Sequence, residues 1–112
     1  MNNRGTHSVK AAEFGLMSLL LLADWFPVIV TNQRGGRWEK VWGSVLGGHR
    51  VTIVGLGGLG GPVAGEAARF GMRVTGVRAN PAPHPACERV IGTAEIDAVL
   101  PETDYLVLAC PL

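Results

Sequence analysis

The sequence predicts an α/β fold, on three observations. Val51-Thr52-Ile53-Val54 and Arg73–Val77 are short, β-branched runs of strand length. Between them, Gly55-Leu56-Gly57-Gly58-Leu59-Gly60 fits G-x-G-x-x-G and leads into Leu59, Val63, Ala64, Ala67, Ala68 and Phe70, spaced for one helical face. Upstream, the stretch 14–30 is almost wholly apolar. Strand, glycine turn, helix and strand make one parallel β-α-β unit. The expected architecture is a partial Rossmann-type parallel sheet with flanking helices, preceded by a long apolar helix.

Each element follows from local chemistry. Residues 1–5 read as loop, and Thr6 or Ser8 can cap a helix reaching about Trp25. Val9, Ala12, Leu16, Met17, Leu20 and Ala23 give it a stripe, and Leu19, Leu21 and Leu22 make it apolar nearly all round. Asp24 and a helix-stopping Pro27 leave it too short for a bilayer. Val28–Val30 can continue as a short helix, and Gln33–Arg37 is a turn. Trp38 and Trp42, four apart, are placed to anchor one helical turn on the core. Gly71 ends the central helix at a left-handed cap. Ala79–Cys87, with Pro81, Pro83 and Pro85, is a surface loop. Glu88–Ile91 is a short strand, Thr93 caps a helix holding Ile96, Val99 and Leu100 ahead of Pro101, and Tyr105–Ala109 is the last strand. The division is residues 1–48, an interdomain helix and connecting region, and residues 49–112, the first part of a dinucleotide-binding domain.

The glycine turn carries the chemistry. Gly55 allows the turn out of the strand, Gly57 lets a pyrophosphate approach the backbone, and Gly60 lets the helix sit close to the sheet. The first-turn N–H groups and the helix dipole favour that negative charge. An acid is expected about 20 residues on, to bond the ribose 2′-hydroxyl. None occurs between Ala67 and Cys87, and Arg78 holds its place. A guanidinium there suits a 2′-phosphate, so NADP is favoured over NAD. Cys110 and Pro111 lie just past the last strand, where they can line the nicotinamide side of the crevice.

With 112 residues, 47% hydrophobic and 17% charged, the chain suits one small core. A net charge of +1 argues against nucleic acid or an anionic membrane as partner. Cys87 and Cys110 make neither a disulfide framework nor a metal spacing. No signal peptide is visible, and the expected compartment is the cytoplasm.

Ala12-Glu13 opening a leucine-rich helix, Gly36-Arg37-Trp38, the run from Val51 to Gly60, Phe70-Gly71-Met72, Leu100–Asp104 and Cys110-Pro111-Leu112 follow one another in a set order. Together they resemble the D-isomer-specific 2-hydroxyacid dehydrogenases, in that family's order. The resemblance implies that the loop around Gly58 and Leu59 holds the pyrophosphate through its backbone. It also implies that the helix over residues 7–25 links two lobes and joins a homodimer. The implied reaction interconverts 2-keto acids and D-2-hydroxy acids with NAD(P)H. The family's catalytic Arg, Glu and His match no position here, and His7, His49 and His84 do not align with its histidine. The expectation is therefore a fragment that alone binds a dinucleotide weakly and turns nothing over, the 2-keto or 2-hydroxy acid being a partner only of the intact protein. The alternative is a non-enzymatic, dinucleotide-sensing interaction module.

Overall fold

The computed structural model describes residues 4–111. Helix α1 spans Arg4–Ala23 and α2 spans Phe26–Arg34. Then come β1 (Arg50–Val54), α3 (Gly60–Arg69), β2 (Arg73–Val77), β3 (Arg89–Ile91), α4 (Ile96–Val99) and β4 (Tyr105–Leu108). The four strands form one parallel sheet in the order β3-β2-β1-β4. The chain starts at β1, steps outward to β2 and β3, and returns to the other side of β1 for β4. The reversal point therefore lies between β1 and β4, where sheets of this kind open a crevice at their carboxyl edge.

β1 is central because it can be buried on both faces. Val51 and Ile53 are fully buried, and Val51 stands in register with Val74 on one side and Tyr105 on the other. Thr52 is buried too, and its hydroxyl lies 2.7 Å from that of Thr103. Thr103 donates its one hydroxyl proton to the Val99 carbonyl at 2.8 Å, so Thr52 must be the donor to Thr103. That chain ties α4 and the turn after it to the sheet. On α3, Val63, Ala64 and Ala67 are buried, whereas Leu59, Ala68 and Phe70 are exposed, contrary to the expected stripe. Leu59 precedes the helix and Phe70 follows it, so neither shares the face that meets the sheet. Gly71 takes the left-handed cap, with φ +80°.

α1 departs from the sequence expectation. It already runs at Arg4, so Thr6 and Ser8 lie within it rather than capping it; residues 1–3 of the expected loop are outside the described residues. It is not apolar all round, since Lys10 and Glu13 are on its surface. Among the described residues no single helix is long and apolar enough to cross a membrane. The buried positions are Leu19 and Ala23, while Val9 and Met17 face outward. The reason is Gly15: α1 sits so close to α3 that a methyl group at Gly15 would lie 2.6 Å from Val63 Cγ2. Gly15→Ala is expected to destabilise the chain by about 1–2 kcal/mol, overpacking outweighing alanine's better helix propensity. A urea titration reads this directly, and an unchanged midpoint would mean that the helix is only loosely docked.

The break between α1 and α2 is also not where proline was expected to put it. Asp24 and Trp25 end α1, with Trp25 left-handed at φ +57°, and Pro27 sits in the first turn of α2. An N–H is dispensable there, so Pro27 starts a helix instead of stopping one. Gln33 and Arg34 belong to α2, and the turn is confined to Gly35-Gly36. Trp38 and Trp42 make no helical turn; they are 83% and 78% exposed in a segment without regular structure. Gly43 is packed against Asp24, and Ser44 N–H donates to the Ala23 carbonyl, so the backbone there is held to the end of α1 and cannot coil. Thr93 caps nothing: Gly92 holds that position before a 3-10 turn over Thr93–Glu95, and Leu100 and Pro101 lie in a second 3-10 turn after a four-residue α4.

Candidate functional site

The glycine turn leaves the carboxyl end of β1 and enters α3. Gly55 has φ +98°, and its N–H donates to the Val77 carbonyl at 2.8 Å, which ties the turn to the end of β2. A methyl group on Gly55 would lie 2.9 Å from the Ala109 carbonyl oxygen and 3.1 Å from Cys110 N. One on Gly60 would overlap the Gly55 carbonyl oxygen and lie 3.2 Å from Ala109 Cβ. These two glycines are therefore walled in by the protein's own backbone.

Gly57 and Gly58 are different. Both are exposed, and a methyl group on either would meet nothing within 4 Å. Neither has a positive φ, so the backbone conformation does not require glycine. Among the described residues the N–H groups of Gly57, Gly58 and Leu59 find no backbone acceptor, while Gly57 accepts from Gly61 N–H at 2.9 Å. Three unsatisfied donors at the amino end of a helix suit an anion. Ser8, on α1, braces this turn by donating to the Gly58 carbonyl at 3.2 Å. Ser8 is not the helix cap its place in the sequence suggests; its partner is 50 residues away and nothing local signals it.

Arg78 follows β2 directly. Its Nη2 donates to the carbonyl of Ala82 and, at 3.1 Å, to that of Pro83. Its Nε is buried without a partner. The guanidinium thus pins the proline loop with one nitrogen and keeps others uncommitted. Beneath the loop Cys87 is half-buried, and a methyl group on Gly76 would come within 3.0 Å of its sulfur. Burial pushes the Cys87 thiol up, only partly offset by Arg78. Cys110 and Pro111 are exposed just beyond β4 and beside Gly55; Leu112 lies outside the described residues.

The histidines separate by place. His49 is at the amino edge of the sheet, edge-on to Tyr105 with ring centres 6.3 Å apart, at the end opposite the glycine turn. His7 lines an apolar groove of about 530 Å³ along α1 and β4, with Phe14, Leu22, Leu106 and Leu108. His84 belongs to the proline loop and turns toward α3, with its Nε2 3.7 Å from where a methyl group on Gly61 would be. Among the described residues no group of His, Cys, Asp or Glu could hold a metal ion.

Residues 16–112 match the family model described as D-isomer specific 2-hydroxyacid dehydrogenase, NAD binding domain. A hydroxypyruvate reductase from Thermotoga maritima is 27% identical over the whole chain and 36% of its own length. A glyoxylate reductase from Thermococcus kodakarensis is 34% identical over 72% of the chain and 25% of its own length. The chain thus spans about a third of the former relative and a quarter of the latter. Among solved structures, a D-isomer specific 2-hydroxyacid dehydrogenase from Xanthobacter autotrophicus, in complex with NADPH and MES, superposes with a TM-score of 0.86 at 30% identity. That match covers 96% of this chain and 34% of the other.

Proposed function

The chain belongs to the D-isomer-specific 2-hydroxyacid dehydrogenases, and from that premise we propose that it forms the dinucleotide-binding part of an enzyme reducing a 2-keto acid to a D-2-hydroxy acid with NADPH. The observation that carries the reading is the open Gly57-Gly58 turn, with unsatisfied N–H groups at the head of α3. The amides of Gly57, Gly58 and Leu59 hold the pyrophosphate. Gly55 and Gly60 shape the turn. Arg78 faces the adenosine ribose and favours a 2′-phosphate, and Cys110 and Pro111 border the nicotinamide. The bound nicotinamide supplies the hydride. The relatives named as hydroxypyruvate and glyoxylate reductases, and the solved relative with NADPH, support the substrate class and the cofactor. The domain that begins at His49 carries the cofactor surface, and α1 braces it through Ser8 on the Gly58 carbonyl and Gly15 against Val63, while also offering a surface to a second copy. On this reading the chain's own part is to bind NADPH, and reduction of the 2-keto acid belongs to the whole enzyme.

Alkylation of the two thiols tests the reading. Cys110 is exposed, while Cys87 is half-buried and burial pushes its thiol up, so Cys110 is expected to react first with iodoacetamide. Saturating NADPH is expected to slow Cys110 several-fold and leave Cys87 unchanged. Equal rates with and without NADPH at Cys110, together with no change in NADPH fluorescence, would defeat the proposal. The second reading, a dinucleotide-sensing interaction module, is favoured by the exposed apolar groove along α1 and β4. It requires the same preparation to change its elution volume on a sizing column when NADPH is added.

A further inference from the structure

The loop from Ala79 to Cys87 is held in one shape by its own bonds. Pro81, Pro83 and Pro85 fix three backbone torsions. Arg78 Nη2 clamps the carbonyls of Ala82 and Pro83. Ala82 N–H donates to the Asn80 carbonyl at 2.8 Å, and Cys87 N–H to the His84 carbonyl at 3.0 Å. At the centre of this frame, Ala86 N–H donates to His84 Nδ1 at 3.1 Å. A nitrogen that accepts a hydrogen bond carries no proton, so the neutral ring must hold its proton on Nε2. That Nε2–H has no acceptor among the described residues, and Nε2 lies beside the first turn of α3, 3.7 Å from where a methyl group on Gly61 would be.

We propose that His84 is a specificity-determining residue for the cofactor, donating its Nε2–H to the phosphate on the ribose 2′ position of NADP. The inference rests on the dinucleotide reading above and adds a residue to it. The pyrophosphate takes the amides at Gly57–Leu59, and the ribose then lies toward the end of β2, where the proline loop begins. Arg78 brings charge to that place but spends one nitrogen on the loop. His84 brings a directional donor whose tautomer the loop has already chosen, so little is lost in ordering it. Arg78 and His84 act on the same phosphate, the former by charge and the latter by direction.

Binding measurements on the full 112-residue chain test this. His84→Phe keeps an aromatic ring and removes the donor; His84→Gln restores a donor at a similar reach. His84→Phe is expected to weaken NADPH about tenfold or more, the scale of a hydrogen bond to a charged group, and to leave NADH unchanged. His84→Gln is expected to recover most of the loss. On the unmodified chain, adenosine 2′,5′-bisphosphate is expected to shift the imidazole nitrogen resonance of Nε2, and 5′-AMP is not, so the inference stays testable should a variant fail to fold. Equal weakening of both cofactors, or an imidazole indifferent to the bisphosphate, would overturn the role of His84 while leaving dinucleotide binding intact. An unmodified chain that binds neither cofactor would overturn both readings.

Discussion

A Gly60→Ala chain is expected to lose about 3 kcal/mol of stability or more, and Gly57→Ala almost none, although both change one glycine of the same turn. At Gly60 the added carbon would overlap the Gly55 carbonyl oxygen and lie 2.8 Å from its carbonyl carbon. These are backbone atoms at the exit of the central strand, so nothing small can move aside. Overpacking of ordinary kind costs about 1–3 kcal/mol, and a clash with fixed backbone belongs at or beyond the upper end. For a domain of this size the melting temperature should fall by roughly 10–20 °C. At Gly57 the carbon would meet nothing within 4 Å, and φ is not positive, so stability should stay within about 0.5 kcal/mol. Its cost should appear in NADPH affinity instead. On the proposed binding mode the methyl group would stand between the amides and the pyrophosphate, and losing one charge-assisted bond weakens binding about tenfold or more. Thermal melts with and without NADPH separate the two effects. If Gly57→Ala melted as early as Gly60→Ala, the open side of the turn would be structural after all and no anion need be invoked.

Replacing Arg78 by alanine is the second large change, and its effect is one of discrimination. NADPH should bind about 10- to 100-fold more weakly, while NADH changes little, because only the former has a phosphate for the guanidinium. Arg78→Lys should recover part of the affinity. A lysine keeps the charge but lacks the planar fork that can hold the carbonyls of Ala82 and Pro83 and a phosphate together. The preference for NADPH in the unmodified chain should also shrink as salt is raised, since the pairing is near the surface and screened. Fluorescence titrations of the two cofactors at two ionic strengths check all of this. Parallel losses for NADPH and NADH would mean that Arg78 serves the loop alone.

The parallel unit was legible because its signals are local. A run such as Val51–Val54 and a turn such as Gly55–Gly60 specify their own conformations, and the strands found differ by a residue or so from those expected. What depended on long-range contact was not legible. The buried side of α1 is set by Gly15 meeting Val63, 48 positions away, and no periodicity within the helix could identify it. Trp38 and Trp42 carry a helical spacing with no packing to realise it, because Gly43 and Ser44 are fastened to the end of α1. Pro27 is ambiguous in the sequence because a proline that stops one helix can open the next. Of the residues proposed for the site, the glycines and Arg78 stand out by type and spacing. Ser8 and His84 do not, since the partner of one is a carbonyl 50 residues off and the orientation of the other depends on a loop bonded to itself.

Gly55 has 2.9 Å between its missing side chain and the Ala109 carbonyl, and its own N–H is fastened to Val77. The exits of three strands therefore share a single rigid rim, without the slack that a hinge needs. Whatever settles on the turn after the first strand is registered at once by the segment leaving the last. On the dinucleotide reading, a ligand spanning from that turn to Cys110 would therefore meet one fixed rim rather than two parts free to move apart.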